Sequence, residues 1–264
     1  MCLLVLAWRR HPRYRLLVAA NRDEFHARPA APLAAWNDAA GIVGGRDLQA
    51  NGAWLALDAR GRFGSVTNFR EFGRRRRSAP SRGGLIPGFL SQPRPAGEFL
   101  RELETDAPGF AGFNLLLADS NSLWYASNRA DQFTRALDPG IYGLSNEFLD
   151  TPWPKLLRVK ERFAALLGDS DMPGPALFET LFTVLADREP AASQDPPESS
   201  DLSPELARKL SAPFVLDSTF GTRCSTVLGI GNDGVVTVAE RCFDANGLVT
   251  QVTEHSLNGA AGQP

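Results

Sequence analysis

The chain has 264 residues, 43% hydrophobic and 22% charged, with a formal net charge of −2, an ordinary balance for a globular protein with a sizeable core. That charge gives no general attraction to nucleic acid or to an anionic membrane, and no nucleic-acid partner is expected. No stretch approaches the ~18–20 apolar residues of a transmembrane helix, so stable membrane insertion is not expected either.

Taken in chain order, Leu3–Trp8 and Arg15–Ala20 are apolar runs on either side of "RRHPRY", a hairpin pattern. Ala53–Asp58 and Phe63–Asn68 around "ARG" predict a second hairpin. The run Arg74–Arg77 reads as an exposed loop, since it lacks interleaved aromatics. Helical spacing appears over Gly84–Leu90 and Ala96–Leu103. Phe113–Ala118 and Leu123–Ser127 around "DSNS" predict a third hairpin, and Ile141–Leu144 a short strand. Trp153–Leu167 follows the Thr151-Pro152 start signal, and Leu156, Leu157, Phe163, Leu166 and Leu167 recur at helical spacing. Pro175–Ala186 is the next helical pattern. Glu189–Ser203, rich in proline and serine, reads as a surface loop. Thr226–Ile230 and Val235–Glu240 flank the turn "GNDG", and Leu248–Thr253 adds a last strand. Strands late in the chain need partners from its first half, so the expectation is one α+β domain over 1–258 with a tail at 259–264.

Cys2, Cys224 and Cys242 are odd in number and widely spaced. This argues against a disulfide framework or a metal site and for a reducing compartment. The apolar run "CLLVLAW" has no basic region before it and no small-residue cleavage site after it, which is unlike a signal peptide, so cytoplasm is the expected location. No cofactor is called for. The 25 arginines against three lysines point to a GC-rich, bacterial coding sequence.

The stretch "VAANRDEFHARP" sets four polar or charged side chains at the end of an apolar strand. With the first hairpin centred on His11-Pro12, facing residues have an index sum of about 23 by antiparallel pairing, so Cys2 faces Asn21. Arg22 and Asp23 then lie beside the start of the chain. Removal of Met1 before a small residue would leave Cys2 with a thiol and an α-amine together. The amine has a reference pKa of ~7.7–8 and the thiol one of ~8.5, so the residue would carry its own base. Arg22 would favour the thiolate, and Asp23 would hold the α-ammonium through a charge-assisted hydrogen bond.

A series of motifs in order extends this pattern: "MC" before hydrophobics, "AANRDEFHARP", "GGRD…WLALDARGRFGSVTNFRE", "SRGGLIPGFL", "GFNLLLAD", "YGLSNEFLDTPWPK" and "FGTRCSTVLGI…GVVTVAER". Together they resemble the NRDE family, which includes the transport and Golgi organisation protein 2 of animals. "QANGAW" departs from the pattern, where the family has a second glycine and a threonine before the tryptophan. The family is similar in turn to the N-terminal nucleophile (Ntn) hydrolases, in particular the cysteine branch of bile-salt and penicillin V amidases. The resemblance implies a four-layer αββα sandwich and a cysteine amidohydrolase acting on a non-peptide, linear amide or acyl substrate of small size. It makes Cys2 the nucleophile, with Arg22 and Asp23 as the pair that follows the first hairpin. Asn146 takes the place of an oxyanion-hole asparagine, Asn68 that of a second polar contributor, and Arg223 that of a late site arginine. Preorganised donors of that kind are worth ~3–4 kcal/mol each in the transition state.

Each assignment has a plainer counterpart. Cysteine opening an apolar strand is commonly a buried small hydrophobe, and asparagine at a strand end commonly caps a turn. Arg223 suits a structural ion pair, His26 lacks partners for a metal or haem, and Trp54, Trp124 and Trp153 suit core or pocket wall. Cys224 falls near Arg223 without being the nucleophile. The animal relatives also imply a second function class, a non-catalytic haem or lipid carrier linked to haem trafficking and built on the same fold.

Overall fold

Both faces of the first strand are apolar because both are covered. In the computed structural model, which describes residues 2–39, 41–71, 79–168, 172–191 and 203–257, β1 (Cys2–Trp8) and β2 (Tyr14–Phe25) form the first hairpin. Leu4, Leu6, Trp8, Leu16 and Val18 point to one side of it, and Leu3, Val5, Ala7, Leu17 and Ala19 to the other, as the period of two requires. Met1, the Arg74–Arg77 run, most of the Glu189–Ser203 loop and the 259–264 tail lie outside the described residues.

The chain continues through β3 (Ala30–Ala35), β4 (Ile42–Asp47), β5 (Leu55–Asp58) and β6 (Phe63–Asn68) to helices α1 (Leu85–Leu90) and α2 (Ala96–Asp106). Strands β7 (Phe113–Ala118), β8 (Leu123–Ser127), β9 (Thr134–Ala136) and β10 (Gly140–Leu144) follow. Helices α3 (Pro154–Leu167), α4 (Gly174–Leu185) and α5 (Pro204–Leu210) precede β11 (Phe220–Gly231), β12 (Val236–Phe243) and β13 (Val249–Leu257). One antiparallel sheet has the order β10-β1-β2-β11-β12-β13 and the other runs β3 to β9 in sequence.

Three separate cores define the layers. Leu4, Leu6 and Val18 of the first sheet meet Leu55, Leu57 and Phe63 of the second between the sheets. Leu3, Val5 and Leu17 pack outward on Leu156, Val159, Phe163 and Leu181 of α3 and α4. Ala56, Leu115 and Leu117 pack outward on Ile86, Phe89 and Leu100 of α1 and α2. The result is the expected α+β sandwich, helix–sheet–sheet–helix. A polar staple crosses between the sheets, where buried Glu240 accepts from the Leu33 backbone N–H at 2.7 Å and the Thr226 hydroxyl at 3.1 Å.

The structure corrects the expected register. Cys2 pairs with Arg22 and Leu3 with Asn21, an index sum one higher than expected. The connection holds the extra residue with Arg9 at φ 51° and closes with an Arg9 N–H to Arg15 carbonyl bond of 2.7 Å. It also adds β3 and β4, which carry weak strand signals. β3 contains Pro32, tolerated on an edge strand. β4 contains Gly44 and Gly45, and a Cβ on Gly45 would fall 2.0 Å from the Trp54 ring. β2 runs on through the whole NRDEF stretch, because β11 continues to pair with it as far as Phe25.

Phe163 is fully buried at the centre of the helix-side core. Phe163→Ala should cost about 3–5 kcal/mol of stability; chemical denaturation at constant m-value measures it.

Candidate functional site

Cys2 is pinned by its backbone. Its N–H donates to Asn146 Oδ1 at 3.0 Å, and its carbonyl accepts from the Ser145 hydroxyl at 2.7 Å. These two residues follow β10, which pairs with β1 along its length. The Asn146 carboxamide then donates from Nδ2 to the Asn68 carbonyl at 2.8 Å, at the end of β6 in the other sheet. A donor on one side and an acceptor on the other leave one orientation for that amide. The Thr67 hydroxyl to Ser145 carbonyl bond (2.8 Å) and the Arg70 N–H to Asn146 carbonyl bond (2.7 Å) close the same joint.

Arg22 lies directly across from Cys2 on β2. Its guanidinium is buried, stacks 4.1 Å from the Trp54 ring centroid, and reaches Asp47 Oδ2 at 3.5 Å. Nη1 has no hydrogen-bond acceptor among the described residues. Asp47 also accepts from Arg28 Nε at 2.5 Å and from the N–H groups of Gln49 and Ala50. Burial would raise its carboxyl, but the Arg28 and backbone bonds hold it below the usual carboxylate range. Trp54 reaches its place under Arg22 through the space that Gly45 leaves.

Asp23, one residue on, turns to the helix side of β2 and accepts from the Thr222 hydroxyl at 2.7 Å. Its carboxyl is pushed up by burial, against the pull of nearby cations including Lys155. Cys2, Arg22, Asp23, Trp54, Asn68 and Arg70 all line one cleft of about 590 Å³.

The predicted residues therefore divide. Cys2, Arg22, Asp23, Asn68 and Asn146 meet at one end of the sandwich. Arg223 does not join them. It sits at the bulge where β11 shifts register against β2, and its Nη1 donates to the carbonyls of Phe25, His26 and Arg28. It holds the turn after NRDEF in shape. The His26 ring nitrogen Nε2 bonds to the Asp217 carbonyl at 3.0 Å, a structural contact. Cys224 is buried, faces Arg22 on one side and Cys242 on the other, and forms no disulfide.

Comparison with known proteins places this architecture. The Transport and Golgi organisation 2 family profile matches residues 1–245. The chain belongs to that family. It is 33% identical to the Transport and Golgi organization 2 homolog of Mus musculus over 257 residues, 91% of this chain and 92% of that one. The Homo sapiens homolog is 32% identical over the same span. Among solved structures, a mutant conjugated bile acid hydrolase from Clostridium perfringens superposes with a TM-score of 0.53 at 8% identity, covering 98% of this chain and 93% of that one. A second variant of the same hydrolase gives 0.54. The fold is that of the Ntn hydrolases.

Sequence reading missed Asp47, Ser145, Thr222 and Lys155. All four lie inside quoted motifs, so their neighbours were visible but their partners were not. Lys155 is nine-tenths buried at the head of the α3 stripe that continues as Val159 and Phe163. A lysine four residues ahead of a core valine was the available signal. Of the three thiols, Cys2 alone lines the cleft. Burial pushes the Cys2 thiol up, the Asp23 carboxylate adds to this, and Arg22 opposes it. Burial also raises Cys224, and it pushes Cys242 up to about 12 with help from Glu240.

Two outcomes follow from this geometry. In the chain that keeps Met1, iodoacetamide modification of Cys2 should climb with pH to a midpoint above the ordinary thiol value. Arg22→Met removes the favourable cation and moves that midpoint higher still, as peptide mapping across a pH series would record. Gly45→Ala forces Trp54 to move and should cost about 1–3 kcal/mol, read by thermal or denaturant unfolding.

Proposed function

We propose that this protein is an Ntn-type hydrolase that cleaves a linear amide of small size through Cys2 after Met1 is removed. The reading rests on one observation: the residue that would become the chain start has both backbone polar groups held, at the mouth of a cleft, directly opposite a buried arginine.

A half-buried thiol with a raised pKa is not a standing thiolate and needs a base. Once freed, the Cys2 α-amine has a reference pKa of ~7.7–8, close enough to neutrality to accept the thiol proton. Asn146 Oδ1, which already takes the N–H of that nitrogen, orients the amine so that its lone pair is left for the transfer. The sulfur attacks the amide carbonyl, and its proton passes through the amine to the leaving nitrogen. A C–S bond replaces the C–N bond, and the amine product departs. Water, deprotonated by the same amine, then cleaves the thioester to a carboxylic acid and returns the thiol.

During both steps negative charge gathers on the carbonyl oxygen. The second N–H of Asn146 Nδ2 and the side chain of Asn68, which is exposed to the cleft, are the donors within the same joint. Arg22, with an open Nη1, offers a cation on the Cys2 side. Asp23 steadies the amine's charge from the opposite face.

Intact mass should show active protein without Met1, and a panel of acyl electrophiles should label Cys2 alone. Cys2→Ala should keep the fold and lose turnover by on the order of 10³-fold or more. Met1 retained on active protein would overturn the reading. Tight haem or lipid binding that survives Cys2→Ala, with no electrophile labelling in the wild type, would assign the cleft to a carrier instead.

A further inference from the structure

The motif "GFNLLLAD" holds a polar residue that the cleft itself does not use. Strand β7 is buried along its whole length, and Asn114 is its one polar side chain, fully buried. An amide in such a place costs free energy unless its donors and acceptor find partners. Alternation puts Asn114 on the same face as Leu116 and Ala118, which pack between the sheets. Thr67 lies directly opposite it on β6, and Tyr125 reaches it from β8 on the other side.

These three side chains form one hydrogen-bonded set. The Tyr125 hydroxyl donates to Asn114 Oδ1 at 2.7 Å. Asn114 Nδ2 donates to the Glu147 carbonyl at 2.8 Å and to the Thr67 hydroxyl at 3.3 Å. The Thr67 hydroxyl donates onward to the Ser145 carbonyl at 2.8 Å. Tyr125 Oη accepts from the Leu149 N–H at 3.3 Å. Because each member both gives and receives, each has a single orientation that satisfies the set.

The partners on the far side are Ser145, Glu147 and Leu149, alternate residues of one irregular segment that follows β10. Outside a strand or helix, the backbone polar groups of such a segment need partners from elsewhere. Asn146 sits in its middle, between the two carbonyls that Thr67 and Asn114 hold. Its own carboxamide meets the Cys2 nitrogen and the Asn68 carbonyl. A shift of its backbone would break both bonds or carry Cys2 with it.

We infer that Asn114 is a positioning residue of the site: with Thr67 and Tyr125 it clamps the 145–149 backbone and so sets where the Asn146 carboxamide stands relative to Cys2. The consequence for turnover rests on the reading of Cys2 as a nucleophile, while the clamp itself does not. An apolar residue at 114 would fill the space but take a partner from the Glu147 carbonyl and from the Tyr125 hydroxyl. A displacement of ~1 Å at a reacting centre costs a rate about 10²-fold.

Two reagents separate this role from a general loss of structure. Acetylation of Cys2 by p-nitrophenyl acetate forms a C–S bond and breaks a C–O bond. The thiol proton passes to the amine, p-nitrophenolate leaves, and an oxyanion forms on the way. Alkylation by iodoacetamide displaces iodide from a saturated carbon and builds no oxyanion. Asn114→Leu should slow acetylation about 10- to 100-fold and leave alkylation as fast as in wild type, each followed at Cys2 by peptide mapping. Tyr125→Phe, which removes one oxygen and keeps the ring in the core, should act in the same direction by a smaller factor. The double variant should be no slower than Asn114→Leu, because both act through one clamp. Equal slowing of the two reactions, or no change in either, would overturn the inference.

Hydrogen exchange reads the clamp without chemistry at Cys2. The Arg70 N–H donates to the Asn146 carbonyl. In Asn114→Leu its exchange should quicken on the order of tenfold, while the Leu228 amide in the buried part of β11 keeps its protection. An unchanged Arg70 rate would sink the clamp. If the exchange responds and p-nitrophenyl acetate fails to label Cys2 in the wild type, the failure belongs to the hydrolase reading alone.

Discussion

The Asn146 carboxamide is a joint between two sheets. Its oxygen takes the N–H of Cys2 in the first sheet, and its nitrogen gives to the Asn68 carbonyl at the end of β6 in the second. Apolar contacts between packed β-sheets resist separation but do little to fix a single backbone atom. One amide with opposite polarity at its two ends fixes that atom, because neither end can be satisfied if the sheets slide. Ser145 and Thr67 repeat the connection one residue earlier on each side. The open end of the sandwich is thereby held at a definite width, with the cleft between its lips.

Charge is arranged around this joint by the pleat of a single strand. Arg22 and Asp23 are adjacent in sequence and therefore on opposite faces of β2. The guanidinium enters the space between the sheets, where Trp54 and Asp47 receive it. The carboxylate enters the helix side, where Thr222 receives it. Cys2 lies across from the first and beside the second. One residue can thus lie near a cation and an anion from neighbouring positions without the two neutralising each other. The bulge in β11 between Thr222 and Cys224 makes this possible, since it lets Thr222 face Asp23 while Cys224 faces Arg22. Arg223, the residue left over by the bulge, is spent on three loop carbonyls.

Much of this is legible in the sequence. Strands with two buried sides, such as β6, β7 and β8, match their predicted limits at both ends, because a continuous apolar run between turn residues has few other uses. The proximity of Cys2 to Arg22 and Asp23 followed from hairpin closure. The register did not, because one extra residue in the connection shifts every pair and sequence alone does not count residues in a turn. β3 and β4 were invisible for a related reason: proline and paired glycines carry no strand preference, and these segments extend only because neighbouring strands and Trp54 demand it. Lys155 was hidden by an ordinary expectation that lysine in a helix faces water.

Residue order alone determined the apolar periodicity, the hairpins, the layered α+β class and the nearness of Arg22 and Asp23 to Cys2, since all of these depend on local spacing and on neighbours a turn away. Tertiary structure alone decided which polar groups share an environment. Asn146 meets Cys2 across 144 positions, Thr222 meets Asp23 across 199, and Arg223 is drawn off to a loop 198 positions earlier. Such partnerships arise from the closure of sheets and the placement of helices upon them, and the energy of a buried charge depends on those distant partners far more than on its neighbours in the chain.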